Sequence, residues 1–448
     1  MKINGVINGF SKLSKEEKLS VVAGFYHDRD TLIRELSSYW HDNPDKQRLF
    51  EEFSENTVTN YFFPYGIAPN FRVNGKDYLV PMVIEESSVV AAASSAAKFW
   101  AGKGGFHAEV ISTEKIGQVH FLWEGDKKKL ESHMPVLKQK LIKETEHITH
   151  NMRHRGGGIL DIELVDMTGE IYNYYQLKAS FDTVDSMGAN FINSCLEEFA
   201  LILKKYFNET EDFKGKEKEC EIIMAILSNY TPDCLVKTWV ECPVEDFNDC
   251  DNNMSGEKFV WKFQKAVEIA QKDKFRATTH NKGIFNGIDA IVLATGNDFR
   301  AVEAAGHTYA SRTGKYTSLT NIEVRDGMFR YELQIPLALG TVGGLTKLHP
   351  LAKISLELLS NPDAKELMKI AAAVGLANNF GALKSLITKG IQVGHMKMHL
   401  FNILNFFHAS KAEKEKAVKF FKDKKVSFNS VNDFIRELRS NSLKGVKI

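Results

Sequence analysis

Cysteine is scarce and unpatterned: Cys195, Cys220, Cys234, Cys242 and Cys250 show no Cys-x-x-Cys or other metal-ligand spacing, and their number is odd. That argues against a disulfide framework and a thiolate metal site, and for a reducing, cytoplasmic compartment. An excess of one charge is also lacking. Lysine plus arginine (58) nearly balances aspartate plus glutamate (57), so neither nucleic acid nor a membrane surface stands out as the main partner. The N-terminus, Met1-Lys-Ile-Asn-Gly5, has no signal-peptide core, and no window reads as the roughly 18 apolar residues of a membrane span. No internal repeat and no low-complexity linker is present, and no Gly-x-Gly-x-x-Gly follows a plausible strand, which sets aside the Rossmann fingerprint. What is there is a chain of 448 residues, 43% hydrophobic, long enough for two or three domains with large cores.

Residues 1–54 read as short amphipathic helices suited to oligomer contacts, with Ser14-Lys-Glu-Glu17 offering a capping box. Phe71 to Val83 reads as a hairpin turning at Asn74-Gly75, and an alanine-rich helix follows from about Ser88 to Trp100. The next stretch alternates. Ala108–Ser112 and Gln118–Glu124 are strand-like, Pro135–Met152 is an amphipathic helix, Ile159–Val165 and Ile171–Ala179 are strands, Ser186–Tyr206 is helical and Cys220–Leu227 is a strand. That order predicts an α+β unit with helices on one face of an antiparallel, ferredoxin-like sheet. Small residues crowd Ala371 to Ala382, which predicts a central helix packed on all sides and stopped by Gly390.

Chemistry concentrates between His280 and Asp298. Lys282 sits beside glycine, the apolar run Ile288–Ala294 reads as a buried, strand-like element, and Thr295-Gly-Asn-Asp298 leaves it. A lysine entering and a carboxylate leaving one buried element predict a Lys282/Asp298 pair, either as a tuned site or as a structural salt bridge. Asp298 also reads as a helix N-cap for the residues after it. His147, His150 and His154 fall at helical spacing, but without supporting ligands they do not read as a metal site.

Further motifs keep this stretch company: Glu55-Asn56, Val80-Pro81-Met82 with Glu85-Glu86, Asp185-Ser-Met-Gly-Ala-Asn190, Gly340-Thr-Val-Gly-Gly344 and Gly394-His395-Met396. Together, in this order, the chain resembles hydroxymethylglutaryl-CoA (HMG-CoA) reductase, most closely the soluble bacterial type called class II. The resemblance implies an α+β fold: a large, mainly helical substrate domain, an inserted ferredoxin-like, non-Rossmann cofactor domain, and a small, mobile helical C-terminal flap. The expected boundaries are 1–110 and 229–390 for the two parts of the large domain, 111–228 for the NAD(P)-binding domain, and 391–448 for the flap. Two positions depart from the family pattern. Thr59 replaces a glycine and Ser87 follows the catalytic glutamate, and neither removes a catalytic group.

The same resemblance assigns roles. Reducing a thioester to an alcohol calls for positive charge at the acyl oxygen twice and an acid for the departing thiolate once. Lys282 is implied as the cation, Asp298 as its orienting carboxylate, Glu86 rather than Glu85 as a proton carrier with a pKa raised by burial, and His395 as the acid for CoA; His399 is read as packing. Arg276 would grip the substrate carboxylate, with Ser88, Asn286 and Asn378 hydrogen-bonding nearby. Asp185, Met187, Gly188 and Asn190 would hold the dinucleotide at a helix N-terminus, and Gly340–Gly344 would approach as a second backbone loop. Thr149, standing where an NADH-preferring relative has an acid upstream of Gly156-Gly157-Gly158, together with Arg153 and Arg155, favours NADPH over NADH. Homodimers with active sites between subunits, substrates HMG-CoA, mevalonate and CoA, and no metal complete the expectation. The same residues would serve mevalonate oxidation. A silent acyl-CoA-binding homologue would lack one of Glu86, Lys282, Asp298 or His395, and all four are present.

Overall fold

The computed structural model describes residues 6–250, 254–388, 390, 400–422, 424 and 426–444. The chain divides into two compact units, Met1–Pro64 and Tyr65–Ile448. In the first unit, α1 (Lys15–Ala23) begins at the expected capping box, Ser14 Oγ accepting from Glu17 N at 3.2 Å and Glu17 Oε2 from Ser14 N at 2.8 Å. α2 (Arg29–Ser37) and α3 (Pro44–Glu51) start at Asp28 and Asn43 caps. Thr59, at the departure from the family glycine, donates its hydroxyl to the Leu36 carbonyl at 2.6 Å. Leu19 and Ala23 are this unit's buried apolar residues, whereas Phe25, Tyr26, Tyr61 and Phe62 are exposed.

The second unit opens with the hairpin β1 (Tyr65–Val73) and β2 (Lys76–Val83), whose Asn74 and Gly75 both take the positive φ of a two-residue turn. Helix α4 (Val89–Ala101) follows, then β3 (His107–Val110). The inserted unit runs β4 (Lys115–Trp123), α5 (Lys127–Glu144), α6 (Glu146–His154), β5 (Gly158–Asp166), β6 (Tyr174–Asp182), α7 (Ala189–Glu209) and β7 (Cys220–Leu227). Its antiparallel sheet has the order β5-β6-β4-β7, which is the ferredoxin-like arrangement. Val119, Phe121 and Leu177 of the sheet pack with Leu196, Phe199 and Leu203 of α7 in a core of their own. The helix expected over Pro135–Met152 is two helices. Pro135 lies inside α5, and the break comes at Thr145.

Back in the larger core come β8 (Leu235–Pro243), α8 (Gly256–Lys272), α9 (Lys274–Ala294), α10 (Phe299–Ala310), β9 (Thr320–Arg325) and β10 (Met328–Pro336). The sheet order β3-β8-β10-β9 supplies an antiparallel floor that the sequence reading did not anticipate. After α11 (Leu345–Leu348) and α12 (Pro350–Leu358), α13 (Ala364–Ile387) runs through the middle, buried nearly throughout between Ile370 and Phe380. Among the described helices α13 alone is long and apolar enough to cross a membrane, which corrects the expectation of no such window; its apolar residues pack the core instead. α14 (Lys411–Phe420) and α15 (Phe428–Lys444) complete the chain over a small cluster of Leu404, Ala417, Val431 and Ile435.

Candidate functional site

Residues 274–294, expected to turn at a glycine and end as a strand, form one continuous helix, α9, capped by Asp273. The glycines explain the difference. A Cβ at Gly287 would lie 2.6 Å from Asn378 Nδ2 and 2.7 Å from the Val374 carbonyl, and one at Gly375 would lie 2.7 Å from Ile288. Gly287 and Gly375 are therefore close-approach points where α9 and α13 cross, not hinges.

That crossing presents Lys282 outward, 62% exposed, at the edge of the β2–α4 turn. Its Nζ donates to Glu86 Oε2 at 3.1 Å, and Ser88 Oγ donates to Glu86 Oε1 at 3.1 Å. Glu85 points to solvent, so of the two glutamates Glu86 is the one that meets the lysine. The Ser88 hydroxyl does not cap α4. Asn286 lies one turn along α9 from Lys282, on the same face. Arg276, half-buried in the first turn of α9, has no carboxylate partner among the described residues, and burial pulls its pKa below the usual guanidinium value. A half-buried guanidinium of this kind suits a ligand carboxylate.

Asn378 does not join this group. It is 4% exposed, lies beneath Gly287, and donates to the Val374 carbonyl at 3.4 Å, so within the chain its amide packs in the helix crossing. Its neighbour Asn379, not singled out from the sequence, donates to the His280 carbonyl at 2.8 Å and accepts from Tyr331. Tyr331 and His280 both meet Thr320 Oγ1, at 3.0 and 2.7 Å. Burial, reinforced by Arg276, pushes His280 down to about 3, so this histidine is a neutral packing element under the arginine.

Asp298 lies elsewhere. It caps α10, accepting from the Arg300 and Ala301 amides at 3.0 and 3.2 Å, and its carboxylate pairs with the Arg300 guanidinium at 3.2 Å. Burial raises its pKa, but Arg300 and these amides outweigh that and hold it below the usual range. The expected Lys282/Asp298 pair is not formed within the chain. From Lys282 to the end of α9 is about 18 Å at 1.5 Å per residue, and among the described residues Glu86 is the ion-pair partner of Lys282.

Around Asp298 three loops interlock. Asn297 bonds both backbone groups of Gly340, Nδ2 to its carbonyl at 3.0 Å and Oδ1 from its amide at 2.8 Å. A Cβ on Gly340 would meet the Met187 amide at 2.4 Å, and Ser186 bridges Val342 in parallel. Together they line a cleft of 570 Å³ that includes Met187, Gly188, Asn190, Asp298, Arg300 and Gly344. At its wall α7 begins behind Gly188 (φ 89°) with no side-chain cap, leaving its first amides for an anion. That arrangement fits a dinucleotide pyrophosphate.

Three of the expected cofactor residues have partners within the chain. The Asp185 carboxylate accepts from the Ala364 amide at 2.9 Å through Oδ1, tying the loop to the start of α13. Thr149 is 2% exposed, on the inner face of α6 with its hydroxyl toward the Glu146 carbonyl, and offers nothing to a ribose. Arg153 is paired with Glu146 at 2.9 Å. The histidine face does not converge either: His147 meets the Glu144 carbonyl at 3.0 Å, while His150 and His154 pair with each other at 3.0 Å. His395 and His399, with Gly394 and Met396, lie outside the described residues.

Comparison with known proteins agrees along almost the whole chain. The profile of the hydroxymethylglutaryl-coenzyme A reductase family matches residues 17–400. The 3-hydroxy-3-methylglutaryl-coenzyme A reductase of Archaeoglobus fulgidus is 38% identical over 440 residues, covering 97% of this chain and 95% of that one. A probable reductase of the same name from Borreliella burgdorferi is 32% identical, covering 92% of each. The class II reductase of Streptococcus pneumoniae, solved bound to NADPH in open conformations, superposes with a TM-score of 0.70 at 34% identity, covering 85% of this chain and 99% of that one. A second structure of the Streptococcus pneumoniae enzyme covers 96% of this chain and 99% of that one, with a TM-score of 0.71 and 33% identity. With the lysine–glutamate pair, the dinucleotide-sized cleft and these matches in hand, the chain belongs to the hydroxymethylglutaryl-coenzyme A reductase family.

Proposed function

We propose that this NAD(P)H-dependent oxidoreductase reduces (S)-HMG-CoA to (R)-mevalonate and CoA, in the mevalonate route to isoprenoids, at sites built between two copies of the chain. The Lys282–Glu86–Ser88 cluster carries the reading. The bound nicotinamide supplies a hydride to the acyl carbon in each of two rounds, with NADPH the expected reductant and NADH the alternative. Each delivery leaves negative charge on the acyl oxygen. Lys282, exposed enough to reach it, stabilises that charge, a role in which one lost donor costs about 2.7–4 kcal/mol. Glu86 orients the ammonium and exchanges protons through it, His395 protonates the departing CoA thiolate, and Arg276 binds the distal carboxylate of the substrate.

Two observations support a homodimer or higher homo-oligomer. The length of α9 separates Lys282 from Asp298 in one chain, so a second copy must bring Asp298 to the lysine if both serve one reaction. The N-terminal unit leaves Phe25, Tyr26, Tyr61 and Phe62 exposed over little core of its own, as an element completed by a partner would.

The test is an absorbance assay of purified protein with HMG-CoA and NADPH or NADH. Oxidation of the reductant that requires HMG-CoA is expected, and its absence with both reductants overturns the proposal. Lys282→Ala should abolish turnover with an unchanged circular dichroism spectrum; parental turnover would remove Lys282 from the mechanism.

A further inference from the structure

Arg300 was not among the residues singled out from the sequence, and its position is unusual. It lies in the first turn of α10, where the helix dipole disfavours a cation, so helix stability does not account for it. Its guanidinium is 77% exposed and, among the described residues, bonds locally, Nε to Asp298 Oδ1 at 3.2 Å and a terminal nitrogen to Oδ2 at 3.4 Å. Of the residues lining the 570 Å³ cleft, Arg300 and Asp298 are the charged ones, and Arg300 is the cation. Across the cleft lie the uncapped amides of α7 and the open backbone of Gly343 and Gly344, where an added Cβ would meet nothing within 4 Å. A pyrophosphate seated on those amides would face a guanidinium already in the same cleft, held by one carboxylate through long, solvent-exposed bonds.

We propose that Arg300 is a dinucleotide-binding residue held in reserve by Asp298: it pairs with that carboxylate in the free protein and moves to the pyrophosphate when the dinucleotide enters. The inference rests on the reading of this cleft as the NAD(P) site. It has a consequence for order of events, because binding the reductant releases Asp298 from its arginine, leaving the carboxylate available to the lysine of a second copy. The target is the pyrophosphate, common to NADH and NADPH, because Arg300 lines the same cleft as the start of α7, whereas Gly157 of the triple glycine packs against Asp182 and Val184 outside it.

The test is equilibrium binding of NADH and NADPH, by fluorescence quenching or calorimetry, to the full-length protein without HMG-CoA. Arg300→Met should weaken both dinucleotides by about tenfold or more, the loss of a charge-assisted hydrogen bond. Asp298→Asn frees Arg300 and should tighten both, and that gain should shrink in the R300M background. Unchanged affinity for both in R300M, a loss confined to NADPH, or an equal gain from D298N in both backgrounds would each overturn the proposal. If R300M misfolds, Arg300→Lys, which keeps the charge but not the fork, should give an intermediate weakening, and parental affinity in that variant together with an equal D298N gain would overturn it. Failure of the parent itself to bind either dinucleotide would instead defeat the reading of the cleft.

Discussion

The start and the end of α9 are built on different physics. At the start, Lys282 stands in solvent, joined to Glu86 across a turn, with Arg276 half-buried over the His280–Thr320–Tyr331–Asn379 network. At the end, Asp298 is fixed by backbone amides, and three loops interlock through glycine backbone and one asparagine. The first is a side-chain site suited to an acyl group and its carboxylate. The second is a backbone site suited to phosphates. Both regions belong to one chain, kept apart by a helix whose position is set by glycine contacts with α13.

The largest test of that division is complementation. If Lys282 and Asp298 from different copies act together, mixing inactive Lys282→Ala and Asp298→Ala subunits should restore about a quarter of parental turnover, since half the random dimers carry one intact site of two. No recovery after verified exchange of subunits would place both groups in one chain's site. Next is the helix crossing. Gly287→Val drives a side chain into Asn378 and the Val374 carbonyl, and should cost about 1–3 kcal/mol, read as a lower melting temperature.

A smaller effect is a pH dependence in the second half of α9. Burial, and then the facing Glu303 carboxyl, push Asp289 up to about 8 against the opposing pull of Lys282. Because the folded pKa lies above the unfolded value, this pair's stabilising contribution is fully present below about pH 4 and is lost as pH rises toward about 8. Asp289→Asn should therefore flatten the decline in denaturation midpoint between pH 5 and 8; an unchanged slope would show that the pair does not hold a proton. The smallest effect is Glu146→Gln, which frees the exposed Arg153. It should change stability by less than about 0.5 kcal/mol and leave the ratio of NADPH to NADH affinity unchanged, as expected of an arginine outside the cofactor cleft.

Much of this was legible wherever the signal is local. The capping box at Ser14, the Asn74-Gly75 turn and the inserted sheet all follow from neighbours in sequence. Asp326-Gly327 carries the same turn chemistry between β9 and β10, both residues at positive φ, and could have revealed the large unit's sheet. α9 was illegible as a helix because its apolar run is too short to separate strand from helix, and because its glycines answer to α13, nearly 90 residues away. Thr149 was illegible for a related reason: matching positions along a sequence does not fix where a side chain points. Helical periodicity in α6 would have placed Thr149 beside Met152 on the inner face.

The inserted unit leaves and rejoins its parent at a single place. β3 and β8 are paired neighbours, Ile111 N bonds the Leu235 carbonyl at 2.8 Å, and Ser228 N bonds the Ile116 carbonyl at 2.8 Å, so the outgoing and returning strands travel side by side. Entry and exit side by side let the larger core close through β3 and β8 while the insert keeps an apolar core of its own.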